Sequence, residues 1–99
     1  MASTVYGGRD YKPVFDATYY SNKYPDLRQA FSENQTSLFN HFINYGMKEG
    51  RQASSNFNLS YYKQNYPDLV KVFGQDNKKY YLHYLDYGIK EKRIANKSL

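Results

Sequence analysis

The stretch YYSNKYPDL, residues 19–27, recurs as YYKQNYPDL, residues 61–69, at an offset of 42 residues in a chain of 99. The two copies share both adjacent tyrosines, the third tyrosine and the Pro-Asp-Leu that follows it. Identical residues continue on both sides of the stretch at the same offset, from Phe15/Phe57 to Arg51/Arg93. A unit that repeats at a fixed period predicts that each copy folds in the same way.

The offset divides the chain into three parts. We predict a flexible N-terminal extension over residues 1–14, a first repeat over residues 15–56 and a second repeat over residues 57–99. A unit of this size rarely buries enough apolar surface to fold alone. We therefore expect the two repeats to pack together as one compact unit.

Each repeat is predicted to contain three short helices. Asp16 and Asn58 stand where a side-chain oxygen would cap the first helix of each repeat. Pro25 and Pro67 are suited to the first position of the second helix, because proline disfavours a helical conformation in the residue before it.

The third helix is the most apolar segment of each repeat. Gly46 and Gly88 follow it, and we expect them at the C′ position in the left-handed conformation. The predicted fold class is all-α, with six short helices arranged as two pseudo-symmetric three-helix repeats.

Tyrosine dominates the composition, with 13 tyrosines, no tryptophan and a mean hydropathy of −0.91. An aromatic content of 19% is too high for a disordered chain, so the core must be built largely from tyrosine and phenylalanine. Tyr20 and Tyr24 are four residues apart and are expected to face the core. Tyr19 and Tyr61 point about 100° away from that stripe and are candidates for exposed rings.

Exposed rings with polar neighbours are typical of glycan-binding surfaces, because a ring stacks on a sugar while amides bind its hydroxyls. The sequence offers one such group of candidate ligand-binding residues, namely Tyr19, Tyr61, Asn22, Gln64 and Asn65. Packing between the repeats explains the two tyrosines equally well.

The combined pattern F-D-x-x-Y-Y-x-x-x-Y-P-D-L and H-[FY]-x-x-Y-G-x-x-E-x-R, found over residues 15–96, resembles a known repeat. It is similar to the tyrosine-rich helical tandem repeats, about 40 residues long, of bacterial secreted and cell-surface proteins, which often accompany cell-wall hydrolases. Lys92 departs from the pattern, which has glycine there, as at Gly50 in the first copy.

The resemblance implies a secreted or cell-surface accessory module that binds peptidoglycan or another surface polysaccharide. The alternative is a structural or protein-interaction module that acts as a spacer, a docking domain or a homo-oligomer.

Catalysis is not expected. The chain has no cysteine and two histidines, His41 and His83, which occupy equivalent positions and are expected in the core, bonded to a carbonyl or a tyrosine hydroxyl. No catalytic or metal-binding motif is present, so we predict no enzyme activity, no metal and no cofactor. The remaining charged residues repeated in both copies are predicted to form structural ion pairs: Asp26, Glu49 and Arg51 in the first, and Asp68, Glu91 and Arg93 in the second.

The net charge of +5 is concentrated in the second repeat, which carries +4 (eight basic and four acidic residues). Lys78 and Lys79 precede Tyr80 and Tyr81, a combination typical of single-strand binders. The first repeat has no charge at those positions, so we do not expect nucleic acid as a partner. No apolar run approaches the roughly 20 residues of a membrane span, and the first residues lack the apolar region of a signal peptide.

Overall fold

A computed structural model describes residues 3–96, which form a short β-hairpin followed by two sets of three helices. The predicted all-α class is confirmed. In the hairpin, β1 (Val5–Tyr6) pairs antiparallel with β2 (Arg9–Asp10). The helices of the first repeat are α1 (Ala17–Lys23), α2 (Pro25–Phe31) and α3 (Gln35–His41), which continues through a π-helical segment (Phe42–Gly46) into α4 (Met47–Glu49). Those of the second repeat are α5 (Leu59–Asn65), α6 (Pro67–Phe73) and α7 (Asn77–His83), which continues into a second π-helical segment (Tyr84–Gly88).

Side-chain caps begin the first helix of each repeat. The Asp16 carboxylate accepts a hydrogen bond from the backbone N–H of Tyr19 at 3.2 Å. The Asn58 side chain accepts the equivalent bond from Tyr61 at 3.0 Å. Each bond satisfies a backbone donor that the helix itself leaves without a partner.

Proline separates the first and second helices of each repeat. Pro25 is the first residue of α2 and Pro67 the first residue of α6. Tyr24 and Tyr66, which precede them, have extended or irregular backbone and end α1 and α5. This is the effect of the proline ring on the preceding residue.

In each repeat an arginine links the segment after the third helix, which we call the tail (residues 51–56 and 93–96), to the second helix. Arg51 donates to both carboxylate oxygens of Asp26, at 3.1 and 2.9 Å, and to Glu49 at 2.8 Å. Its guanidinium lies 4.8 Å from the ring centre of Tyr24. The second repeat has the same arrangement with Arg93, Asp68, Glu91 and Tyr66. Such bidentate pairs fix the position of the strand-like tail better than a single charge would.

The glycine at the end of the third helix has a different role from the predicted one. Gly46 has right-handed helical angles, φ −59° and ψ −47°, and the helix continues past it. A Cβ at Gly46 would overlap the hydroxyl of Tyr20, and one at Gly88 would overlap that of Tyr62. Both glycines therefore permit close approach of a buried tyrosine, and the C′ assignment is wrong.

The left-handed position lies a turn further on. Gly50 ends α4 with φ 76°, and Lys92 has φ 60° at the equivalent place in the second repeat. Lys92 thus keeps the backbone geometry of the glycine it replaces, which is uncommon for a residue with a Cβ.

Residues 3–14 are part of the folded unit, in contrast to the predicted flexible extension over residues 1–14, of which the first two lie outside the described part. Tyr11 is 3% exposed and Val14 is fully buried. The Tyr11 ring packs edge-on against Phe39, with centroids 5.9 Å apart. The segment therefore contributes Tyr11 and Val14 to the core.

Tyr81 joins the two repeats. Its hydroxyl donates to the carbonyl of Arg51 at 2.7 Å. Its ring lies 5.7 Å from Phe42 of the first repeat and 4.9 Å from Phe57 of the second. One continuous aromatic core therefore spans both repeats.

We expect Gly46→Ala to lower the free energy of unfolding by about 1–3 kcal/mol, because the new Cβ would overpack against the Tyr20 hydroxyl. The same substitution in a Tyr20→Phe background should cost less, since the overlapping oxygen is gone. Urea denaturation of the four proteins in this double-mutant cycle measures the difference. Equal costs in the two backgrounds would show that the Tyr20 hydroxyl is not the group that excludes a side chain at position 46.

Candidate functional site

The two tyrosines predicted as exposed rings are less exposed than expected. Tyr19 and Tyr61 are both partly buried. Tyr45 and Tyr87, which also occupy equivalent positions, are 58% and 59% exposed. The larger repeated aromatic surface is therefore formed by Tyr45 and Tyr87.

The amides predicted to assist Tyr19 and Tyr61 are exposed, but two of them already have partners. The Asn22 side chain accepts a hydrogen bond from Arg28. The Asn65 side chain donates to the Tyr61 carbonyl at 2.8 Å. Gln64 is exposed on the same helix as Asn65. The first bond holds Asn22 against α2, and the second holds Asn65 against its own helix, α5.

In the first repeat, His41 connects the buried core to the exposed ring of Tyr45. Its Nδ1 is 2.8 Å from the hydroxyl of Tyr20, which is fully buried. On its other sides, the imidazole centre lies 5.5 Å from the ring of Tyr45 and 6.0 Å from that of Phe31. The three rings form a continuous aromatic surface whose orientation is set by the Tyr20 hydrogen bond. We call it the first Tyr–His surface.

The second repeat reproduces this geometry. Nδ1 of His83 is 2.9 Å from the hydroxyl of the buried Tyr62. The imidazole centre lies 5.7 Å from Tyr87 and 5.9 Å from Phe73. These residues form the second Tyr–His surface.

The protonation of both surfaces follows from burial. Burial lowers the pKa of His41 and of His83, and the nearby Arg51 and Arg93 lower it further. Burial also raises the pKa of Tyr20 well above its ordinary value, so its hydroxyl keeps its proton. Both groups are therefore neutral at pH 7, and we assign the tautomer in which the tyrosine donates to Nδ1 and the histidine's own proton is on Nε2, because this arrangement gives the hydroxyl proton an acceptor.

The second surface borders a shallow pocket of about 190 Å³. The pocket is lined by Phe73, Lys79, Leu82, His83, Asp86 and Tyr87. Serine and asparagine replace its charged residues in the first repeat, at Ser37 and Asn44. The two surfaces therefore share their rings but differ in charge.

An arginine of the hairpin is bonded to the acidic residue that lines this pocket. Arg9 donates to both carboxylate oxygens of Asp86, at 2.8 and 2.7 Å. This contact lowers the pKa of Asp86, chiefly through the hydrogen bonds from Arg9. The carboxylate is thus held ionised beside the pocket.

Tyr45 and Tyr87 were not recognised as exposed from the sequence. A helix with a regular period of about 3.6 residues predicts which side chains share a face. The π-helical segment that begins at Phe42 adds an extra residue to the turn and shifts every later residue around the helix. The sequence does contain one indication of their importance, because a tyrosine follows the repeated histidine by four residues in both copies, at Tyr45 and Tyr87.

The other charged and aromatic residues singled out in the sequence have partners within the fold. Asp26 and Glu49 are both bonded to Arg51. Tyr80 and Tyr81 are fully buried and offer no ring surface for stacking on bases. Within residues 3–96, no group of three or more histidine and acidic side chains is placed to hold a metal ion.

None of the helices in residues 3–96 is long and apolar enough to cross a membrane. Comparison with protein-family models, with curated proteins and with solved structures finds no match to this chain.

We expect the free energy of unfolding to fall as the pH is lowered from about 7 towards 5. The pKa of each histidine is lower in the folded protein than the ordinary value of 6.5. The unfolded chain therefore binds protons first, and the stabilisation present above that value is lost as the pH falls through the folded pKa.

Urea denaturation at several pH values tests this dependence in the wild type and in the double variant His41→Gln, His83→Gln. The variant lacks both histidines of the sequence, so its slope over this pH range should be flatter. An unchanged slope would exclude the histidines as its source. Asp26 and Asp68 do not contribute over this range, because their ordinary pKa of 3.8 already lies below it and hydrogen bonds from the arginines lower the pKa further in the folded protein.

Proposed function

We propose that this chain is a non-catalytic module that binds a polysaccharide of the bacterial surface through its two Tyr–His surfaces. The observation that carries the proposal is found in both repeats. A tyrosine that is more than half exposed lies beside a histidine whose position is fixed by a hydrogen bond to a buried tyrosine. Tyr45 and Tyr87 are the exposed rings, at 58% and 59%. A ring with no binding role would be expected to vary between the copies as freely as other exposed residues.

The chemistry of the surface suits a sugar. The flat face of a tyrosine ring stacks on the apolar face of a pyranose, and its hydroxyl remains available for hydrogen bonding. Beside it, the Nε2–H of His41 or His83 is a directed donor for a sugar hydroxyl or carbonyl. Because Tyr20 and Tyr62 hold the imidazoles in place, little side-chain freedom is lost when a ligand binds.

Two similar surfaces on one chain suit a polymer with a repeating unit. A glycan strand that contacts one surface raises the effective concentration of its next units at the second surface. Weak single-site binding can then give useful retention on an insoluble polymer. The proposal also includes the secreted or cell-surface setting that the repeat pattern implies, because the proposed ligand is a polysaccharide of the bacterial surface.

The binding role is tested by retention on insoluble peptidoglycan, chitin and cellulose. We expect the wild-type chain to be retained on at least one of them. The double variant Tyr45→Ala, Tyr87→Ala should bind at least about tenfold more weakly, equivalent to about 1.4 kcal/mol, because both stacking faces are removed.

Two control variants locate the site. Tyr6→Ala removes a ring that is 56% exposed on the hairpin and should leave retention unchanged. Tyr19→Ala with Tyr61→Ala tests the alternative site suggested by the sequence. Loss of retention in that variant alone, with an unchanged circular dichroism spectrum, would move the site to Tyr19 and Tyr61. Absence of retention on all three polymers would contradict the proposal.

A further inference from the structure

The hairpin carries an arginine in the register of the two tail arginines. Arg9 stands 42 residues before Arg51, which in turn stands 42 residues before Arg93. The residue before each arginine has left-handed backbone, with φ of 78°, 76° and 60° in chain order. The hairpin therefore repeats the start of a tail, although within residues 3–96 no helix precedes it.

Arg9 has a different partner from the tail arginines. Each tail arginine binds the aspartate in the second helix of its own repeat. Arg9 instead donates from Nε and Nη2 to the two carboxylate oxygens of Asp86, in the second π-helical segment. Asp86 follows His83 by three residues and directly precedes Tyr87, and all three line the pocket of the second Tyr–His surface. The hairpin arginine is thus bonded to the candidate binding surface.

The hairpin holds Arg9 in a fixed position. Tyr11 is 3% exposed, and its hydroxyl accepts a hydrogen bond from Nη1 of Arg9 at 3.4 Å. The ring of Tyr11 packs against Phe39 in the first repeat, and Arg9 pairs with Tyr6 across the hairpin. Asp86 is therefore connected to the core of the first repeat through a bidentate ion pair, which fixes direction as well as distance.

The first Tyr–His surface has a neutral amide where the second has this carboxylate. Asn44 is exposed at the position equivalent to Asp86. A hydrogen bond accepted by a carboxylate is roughly twice as strong as one accepted by a neutral group. The side chain of Asp86 is 37% exposed, and about two acceptor positions remain on it beyond those that Arg9 uses. The second surface therefore offers the stronger acceptor.

A donor and an acceptor stand together in the second pocket. Nε2–H of His83 is the donor, and the carboxylate of Asp86 is the acceptor. A sugar hydroxyl both donates and accepts, so one hydroxyl at the edge of a unit stacked on Tyr87 has a partner for each role. Substitution of that hydroxyl removes the proton that the carboxylate needs.

We propose that Asp86 binds a hydroxyl of the glycan and that Arg9 is the positioning residue that holds Asp86 towards it. The inference rests on the proposed function and makes the two Tyr–His surfaces unequal. The second surface binds a sugar unit with a free hydroxyl at the edge of its stacked face, and binds it more tightly than the first does. Arg9 acts through position rather than charge, because the ordinary pKa of 3.8 leaves Asp86 ionised at neutral pH even without the arginine.

Amide hydrogen exchange tests the positioning role without a glycan. Exchange rates are measured by NMR in the wild type and in Arg9→Gln for the two π-helical segments, Phe42–Gly46 and Tyr84–Gly88. We expect exchange to become about threefold faster or more in the second segment alone, because only that segment loses a bond. Arg28→Gln makes the same change at an exposed position in α2 and should leave both segments unchanged. No rise in the second segment, or an equal rise in both, would overturn the positioning role.

Glycan binding is tested with the second surface alone, in a Tyr45→Ala background. The probes are cellohexaose, chitohexaose and soluble peptidoglycan fragments, measured by isothermal titration calorimetry at pH 7. Asp86→Asn and Arg9→Gln should each weaken binding by about threefold to tenfold, because one removes the charged acceptor and the other its support. Glu33→Gln makes a carboxylate-to-amide change at an exposed position of the first repeat and should leave the affinity unchanged. Unchanged affinity in Asp86→Asn would overturn the acceptor role.

The conservative variant Arg9→Lys separates position from charge. Lysine keeps the positive charge but cannot form the planar fork to both oxygens of Asp86. Exchange and binding in Arg9→Lys should therefore resemble those of Arg9→Gln. Full recovery of both by lysine would show that charge alone is sufficient and would overturn the positioning role.

Methylation of the sugar provides the control on the ligand side. The O-methylated form of the probe that binds keeps its ring faces but has no hydroxyl to donate. Asp86→Asn should not weaken its binding further, and an effect as large as that on the free sugar would overturn the acceptor role. Absence of binding by the wild type would contradict the proposed function and this inference with it. Binding that is insensitive to both Arg9 and Asp86 would overturn this inference alone.

Discussion

The structure depends on the buried hydroxyl of one tyrosine in each repeat. Tyr20 is fully buried, and an unpaired hydroxyl at that depth would cost about 1–3 kcal/mol. The hydroxyl is satisfied by Nδ1 of His41 and fits only because Gly46 has no side chain. The π-helical segment between the histidine and the glycine brings both residues to the same oxygen. The exposed ring of Tyr45 lies in that segment, so the core contact also determines the candidate binding surface.

The same constraint explains how a chain of low mean hydropathy forms a packed core. Tyrosine buries a large apolar ring, but each hydroxyl then needs a partner. The Tyr24 hydroxyl accepts from the backbone of Gln52, and the Tyr81 hydroxyl donates to the carbonyl of Arg51. Within residues 3–96 no buried side-chain oxygen or nitrogen is without a hydrogen bond. The core hydroxyls therefore also position the tails and the junction between repeats.

Local signals in the sequence were sufficient for the helix class and for the helix starts. Asp16 and Pro25 act through bonds and angles within a few residues, so their roles are readable from spacing. Gly46 was assigned the wrong role because its constraint comes from Tyr20, 26 residues earlier in the chain. The burial of Tyr11 likewise depends on a distant ring, that of Phe39. The exposure of Tyr45 depends on the π-helical segment, which the local sequence pattern does not predict.

The first and second Tyr–His surfaces differ in charge, because Lys79 and Asp86 border the second, whereas Ser37 and Asn44 stand at the equivalent positions of the first. A glycan strand that contacts both surfaces of one chain therefore meets an uncharged and a charged surface in turn. Under the proposed function, a polymer whose units alternate in the same way binds more tightly than a uniform one, because only that polymer matches both surfaces at once.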